Sequence, residues 1–225
     1  MKPPQPLPET SLRSPRGSRT APHATRVADT RILQAVREEV LAVGVGRATA
    51  SSIARRAKVA RVTVYRHGWS IDSLVLQAIT DEAVTLAADV TDHLPDGDGL
   101  HVLTEMCCRT VNTIASSELL PAVLRHDSEL LLPYLTERLG ASQRIFVDTT
   151  IPLLEAGHRD GTIRRDDPRV QATILLQILT PFALGPALLT REIGADTTHE
   201  QVRRLVIGYL ANTDQAEPPP GGNAE

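Results

Sequence analysis

Cysteine, methionine and aromatic residues are all scarce in this chain of 225 residues, which holds two cysteines, two methionines, three tyrosines, two phenylalanines and one tryptophan. The two cysteines are adjacent, at Cys107 and Cys108. Neighbouring helix positions point about 100° apart, so the pair forms no ordinary disulfide with itself, and without a second pair there is no zinc site built on thiolates. Buried thiols are the expected state, with a redox or thiol-reactive role as the other reading. The seven histidines show neither an H-x-x-x-H nor an H-E-x-x-H spacing, so no metal and no cofactor is expected. G-x-S-x-G, G-x-G-x-x-G and P-loop patterns are missing too, and no enzyme activity is expected. There is no run of about 18 apolar residues for a membrane span, and residues 1–25 contain no apolar h-region of a signal peptide; a cytoplasmic protein without a membrane partner is predicted. No period of about 20 to 50 residues repeats, which argues against a solenoid. With aromatics at 3% and apolar residues at 41%, the core is built from alanine, leucine and valine, a mix that favours helices over sheets.

Net charge is only −3, but it is unevenly spread. Through residue 75 the chain carries 13 Lys and Arg against 5 Asp and Glu, and the remainder carries 11 against 22. A basic N-terminal module neutralises phosphates and releases counterions, while an acidic remainder is repelled by them. Pro3, Pro4, Pro6, Pro8, Pro15 and Pro22 stand among Ser, Thr and Arg in residues 1–25, a composition unable to bury enough apolar surface to order the chain. A disordered arm is predicted there and a disordered tail over 214–225. Arg13, Arg16, Arg19 and Arg26 either trail along a DNA backbone or belong to a solvated linker.

Residues 53–66 read I-A-R-R-A-K-V-A-R-V-T-V-Y-R, an amphipathic helix, a break and a second short helix. Before the break, Ala50, Ile53, Ala54 and Ala57 recur at the helical period, with Thr49 placed to cap the first turn. Small alanines let another helix cross closely. After it, Val59, Val62 and Val64 are the candidates to pack inward, while Arg61, Thr63, Tyr65 and Arg66 offer groups that suit phosphates and base edges. The pattern is a helix-turn-helix. Arg47, Arg55, Arg56, Lys58, Arg61 and Arg66 make it basic.

From about Thr30 to Leu76 the chain resembles the tetracycline-repressor (TetR) family of one-component transcriptional regulators. The resemblance rests on a first helix, R-I-L-Q-A-V-R-E-E-V-L-A-V, that ends at Gly44, on Thr49 opening the next helix, on I-A-x-x-A, on T-V-Y-R, and on Ser70 before a further apolar-periodic helix. It implies an all-α protein of about nine helices. A three-helix DNA-binding domain over 26–70 would be followed by a helical ligand-binding and dimerisation domain over 71–213. It further implies that Thr49, Arg61, Val62, Thr63, Tyr65, Arg66 and His67 meet a palindromic double-stranded DNA operator, that the protein is a homodimer, and that an unknown small-molecule effector releases it from the operator, as in a repressor. Five positions depart from the family pattern. Lys58 replaces the turn glycine, so a residue with a Cβ is asked to take positive φ. Ala60 replaces the serine cap, Gly68-Trp69 an aromatic-proline pair, and Ile71 a phosphate-binding lysine.

Beyond the reader, helices are predicted over 71–91, 100–116, 119–126, 133–156, 170–190 and 198–211, with P-D-G-D-G at 95–99 as the best internal break. The 170–190 segment is apolar around most of its circumference, which implies burial on several sides. Leu175, Ile178, Leu179 and Phe182, with Val202, Leu205, Val206 and Tyr209, are the candidate dimer interface; burial within one chain is the alternative. Leu103, Met106, Cys107, Leu124, Phe146 and Leu153 are candidates to line an apolar pocket, with His101, His126 and Tyr134 as polar contacts, or else are plain core and surface. The competing reading of the whole chain is an all-α small-molecule-binding or catalytic protein whose helix-turn-helix no longer reads DNA.

Overall fold

The computed structural model describes residues 23–65 and 70–213, and its regular structure is helical apart from a single bridge between Ile163 and Ala211. The described helices are α1 (His23–Val43), α2 (Ala50–Ala57), α3 (Arg61–Tyr65), α4 (Ile71–Asp92), α5 (Gly99–Ser116), α6 (Leu119–His126), α7 (Ser128–Thr136), α8 (Ala141–Asp160), α9 (Pro168–Leu184), α10 (Pro186–Ile193) and α11 (Ala195–Leu210), with a 3-10 turn at Val45–Arg47. The all-α class is as expected from the sequence. The starts of α4, α5 and α9 are capped by Ser70, Asp98 and Asp167, whose side chains accept backbone N–H groups of the first turn.

Three stretches differ from the sequence reading. Helix α1 opens at His23, three residues inside the arm expected to lack structure, because no proline or glycine follows Pro22 until Gly44. The helix expected over 133–156 is two helices. Pro133 lies inside α7, where its carbonyl accepts the N–H groups of Glu137 and Arg138 and closes the helix, and α8 restarts after Gly140. The helix expected over 170–190 also divides, at Gly185-Pro186, since a residue before proline is pushed out of the helical region and proline offers no N–H. The two pieces, α9 and α10, are bent by 71°. These breaks raise the described count to eleven α-helices against about nine expected.

Two apolar cores result. The N-terminal one gathers Ile32 and Val36 of α1, Ile53 and Ala57 of α2, Val64 of α3, and Leu74, Val75 and Ala78 of α4, and then continues to Leu119 and Val123 of α6 and Leu131 of α7. Apolar packing therefore runs across residue 70: α4 and α6 pack on α1 and on the 3-10 turn, and α1 in turn carries α2. The second core joins Leu103, Met106 and Cys107 of α5 with Val147 and Leu154 of α8, Leu175 of α9, and Val202, Val206 and Leu210 of α11. Within it α5 and α8 touch backbone to backbone. A Cβ on Gly99 would lie 2.3 Å from the Gly157 Cα, and the Gly99 N–H donates to Asp160 Oδ2 at 2.7 Å.

Candidate nucleic-acid interface and core cavity

Helix α2 is held by a reciprocal cap. Thr49 Oγ1 accepts the Ser52 N–H and Ser52 Oγ accepts the Thr49 N–H, both at 3.1 Å. At the other end Lys58 takes φ 55° and ψ 44°, the left-handed conformation its position demands, and Val59 N–H returns to the Ala54 carbonyl at 3.0 Å. Arg31 of α1 donates to the Ala57 carbonyl at 2.8 Å. With no side-chain acceptor at Ala60, its carbonyl takes the Thr63 N–H at 2.8 Å.

Helix α3 has a single buried side chain, Val64 at 1% exposure, whereas Val62 is 72% exposed. The inward role expected for Val62 is thus corrected: residues two apart lie on opposite sides of a helix, and Val64 takes the core position. Arg61, Val62 and Tyr65 form an outward face with Thr63 half-buried beside them. The Arg61 guanidinium donates to the Tyr65 hydroxyl at 3.1 Å and lies 5.3 Å from its ring centroid, so the two side chains present one polar unit. Thr49 is exposed at the start of α2, but its hydroxyl is engaged in the cap. Arg66 and His67 lie outside the described residues.

Several arginines of the basic motif are engaged internally. Arg56 pairs with Glu39 at 3.0 Å and Glu38 at 3.5 Å. The Ser52 hydroxyl and the Arg56 guanidinium hold the buried Glu39 carboxyl below its ordinary range, against the effect of burial. Arg47 donates to the Val43 carbonyl. Arg55 and Lys58 make no side-chain hydrogen bond or ion pair among the described residues and add charge beside α3.

A cavity of about 460 Å³ lies among α4, α5, α6, α7, α8 and α9. Its wall is chiefly aliphatic, with Leu76, Ile79 and Leu86 from α4, Val111 and Ile114 from α5, and Leu176 and Leu179 from α9. Of the residues expected to line a pocket, Tyr134 and Phe146 do so. Leu103, Met106 and Cys107 are buried in the second core instead, on α5 before the stretch from Thr110 that reaches the cavity, and Leu153 packs against that core. Leu124 packs on the N-terminal core. His101 is exposed beside Gly97 at the start of α5. His126 lines a separate, more polar cleft of about 700 Å³ between the end of α1 and α6. On α4 the cavity is lined by Leu76, Ile79, Ala83 and Leu86, which stand at helical spacing beside the Leu74, Val75 and Ala78 that face the N-terminal core.

Burial removes the thiols from chemistry. It pushes the Cys107 thiol far above its usual range and Cys108 up to about 11, so neither supplies thiolate near neutral pH.

The candidate interface helices are also turned from their expected setting. Leu175, Leu179, Val202 and Val206 are buried in the chain's own core, Ile178 is half-buried, and Phe182 and Tyr209 pack against that core. Leu205 is exposed. The exposed apolar side chains of these helices are Val170 and Ile174 on α9, one turn apart, and Leu205 and Ile207 on α11, which flank the buried Val206 on either side. Among the described residues no single helix is long and apolar enough to cross a membrane.

No family model matches the chain. An uncharacterized HTH-type transcriptional regulator of Mycobacterium tuberculosis is 36% identical over 181 residues, covering 80% of this chain and 93% of the relative. Its Mycobacterium bovis counterpart is 35% identical over 180 residues, with the same shares covered. Among solved structures, the transcriptional repressor QsdR of R. erythropolis, from the TetR family, superposes with TM-score 0.60 at 20% identity over 83% of this chain and 95% of that one. NalD, the secondary repressor of the MexAB-OprM multidrug efflux pump in Pseudomonas aeruginosa, gives 0.58 at 21% over 84% and 98%. FadR of Bacillus subtilis in complex with stearoyl-CoA gives 0.61 at 15% over 80% and 98%.

Proposed function

This chain belongs to the TetR family of helix-turn-helix transcriptional regulators, and we propose that it acts in the cytoplasm as a repressor, binding a two-fold operator as a homodimer and leaving it when a small molecule fills the core cavity. The observation that carries this reading is the outward face of α3, where Arg61, Val62 and Tyr65 stand clear of the core on a module whose charge is basic while the rest of the chain is acidic. Arg61 and Tyr65 suit phosphate oxygens. Val62 and Thr63 suit base edges, including a thymine methyl. The exposed apolar side chains of α9 and α11, Ile174 and Leu205 among them, suit an isologous contact with a second copy, which would set two α3 helices one DNA turn apart.

Selection of bound sequences from a random duplex pool by the full chain tests this. An inverted repeat with related half-sites is the expected outcome, with poor binding to one half-site alone. A chain that shows neither selected sequence nor salt-dependent retention on DNA would instead be an all-α small-molecule-binding or catalytic protein.

A further inference from the structure

The charge lining the cavity is one-sided. Among the described residues that form its wall there is no lysine, arginine or histidine, and the sole carboxylate is Glu82 of α4. Some of the wall's hydroxyls and amides are already engaged, while the buried Ser117 Oγ has no hydrogen-bond partner among the described residues. Thr80 and Thr180 donate to carbonyls of their own helices, and Gln143 spans the Tyr134 carbonyl and the Gly140 N–H. An acid or a phosphate placed here would lose its water and gain no cation, which is costly. The acyl-CoA held by the FadR structure therefore has no electrostatic counterpart in this wall.

Glu82 also faces the DNA-reading half of the molecule. Its Oε2 accepts from Arg37 of α1 at 2.8 Å, across 45 positions, and its Oε1 has no protein partner among the described residues. Both side chains are about one-third exposed, at 29% and 33%, so the pair sits at the rim of the cavity and not in its depth. One negative charge thus serves as the only ionic group of the described wall and as one tie between α4 and α1.

We propose that the cavity takes a lipophilic amine, an apolar chain carrying one positive charge, and that Glu82 selects it. This rests on the reading of the cavity as the effector site. The wall lined by α4 runs from Ser73 to Leu86, about 20 Å of helix, which accommodates an extended chain of about ten carbons. The ammonium binds the open carboxylate oxygen and divides the charge that Arg37 otherwise holds alone. Occupation of the cavity thereby weakens the tie between α4 and α1.

Three probes of one chain length separate the possibilities: decylamine, protonated at neutral pH, decanol and decanoate, titrated calorimetrically into the full chain below their micelle concentrations. Decylamine is expected to bind one per chain and about tenfold more tightly than decanol, with decanoate the weakest. Glu82→Gln should erase the amine's advantage and leave decanol unchanged, and Arg37→Gln, which removes the competing cation, should tighten the amine. Decanoate binding best, or an amine advantage that survives in Glu82→Gln, would overturn the proposal while leaving the effector cavity standing. Failure of all three probes to bind would overturn the effector-cavity reading itself and the proposal with it.

Discussion

Asp127, between α6 and α7, accepts the backbone N–H of Val45 at 3.0 Å across 82 positions of sequence. The contact joins the turn between α1 and α2 to the helix pair that borders the cavity, and Gly44 and Gly46 flank it closely enough that an added Cβ would touch the carboxylate. Replacing Asp127 by alanine leaves the Val45 N–H without its acceptor. A loss of about 1 to 2 kcal/mol in urea unfolding is expected, with faster hydrogen exchange at the Val45 amide. Unchanged exchange there would show that the contact does not hold the turn.

Glu39 and Arg56 make stability pH-dependent in a defined direction. The folded-state pKa of Glu39 is lowered, so its contribution is complete above the unfolded value of about 4.3 and is lost as pH falls through the folded value. Glu39→Gln should cost about 1 to 2 kcal/mol at neutral pH, discounted for an Arg56 side chain that is partly exposed. The difference from the parent protein should close progressively below about pH 4. A gap that stays constant from pH 7 to pH 3 would show that packing, not charge, carries the effect.

Arg61 and Tyr65 should act on DNA together, since the guanidinium is hydrogen-bonded to the phenol. Arg61→Ala is expected to weaken binding to every sequence and to reduce the salt slope by about one unit. Because each side chain orients the other, Tyr65→Phe combined with Arg61→Ala should lose less than the two single losses added. Fluorescence anisotropy at several salt concentrations measures both quantities. A changed base preference at constant nonspecific affinity would assign Arg61 to base reading instead.

Self-association should depend on the exposed apolar face and not on the buried residues beside it. Leu205→Glu places a charge on a side chain that is 41% exposed in the single chain, so the fold should survive while a dimer dissociates. Sedimentation velocity reads the mass, and circular dichroism checks the helix content. A folded variant that keeps the parent's mass would move the interface elsewhere.

The reader half was legible in advance because its signals are local. Thr49 stands directly before the helix it caps, the apolar alanines repeat within two turns, and Lys58 falls at the one position that must turn left-handed; each was visible within a few residues and each acts as expected. The fate of Arg56 was not visible, since its partners Glu38 and Glu39 lie on another helix and meet it only when α1 and α2 cross.

In the larger half, composition and periodicity determined that helices form and where most of them begin, because capping and helix propensity depend on neighbours within a turn or two. Which side of each helix meets the core, the cavity or solvent was decided by tertiary packing. Leu179 lines the cavity while Leu175, one turn earlier, is sealed in the core, and Leu205 is exposed while Val206 beside it is buried; all four are aliphatic and carry no label in sequence. The hydrophobic effect is non-directional, so an all-round apolar helix such as α9 fixes the amount of surface to be buried but not its partner. The arrangement of α5, α8 and α11 around it supplies that choice, and with it the place of the cavity and of Glu82 at its rim.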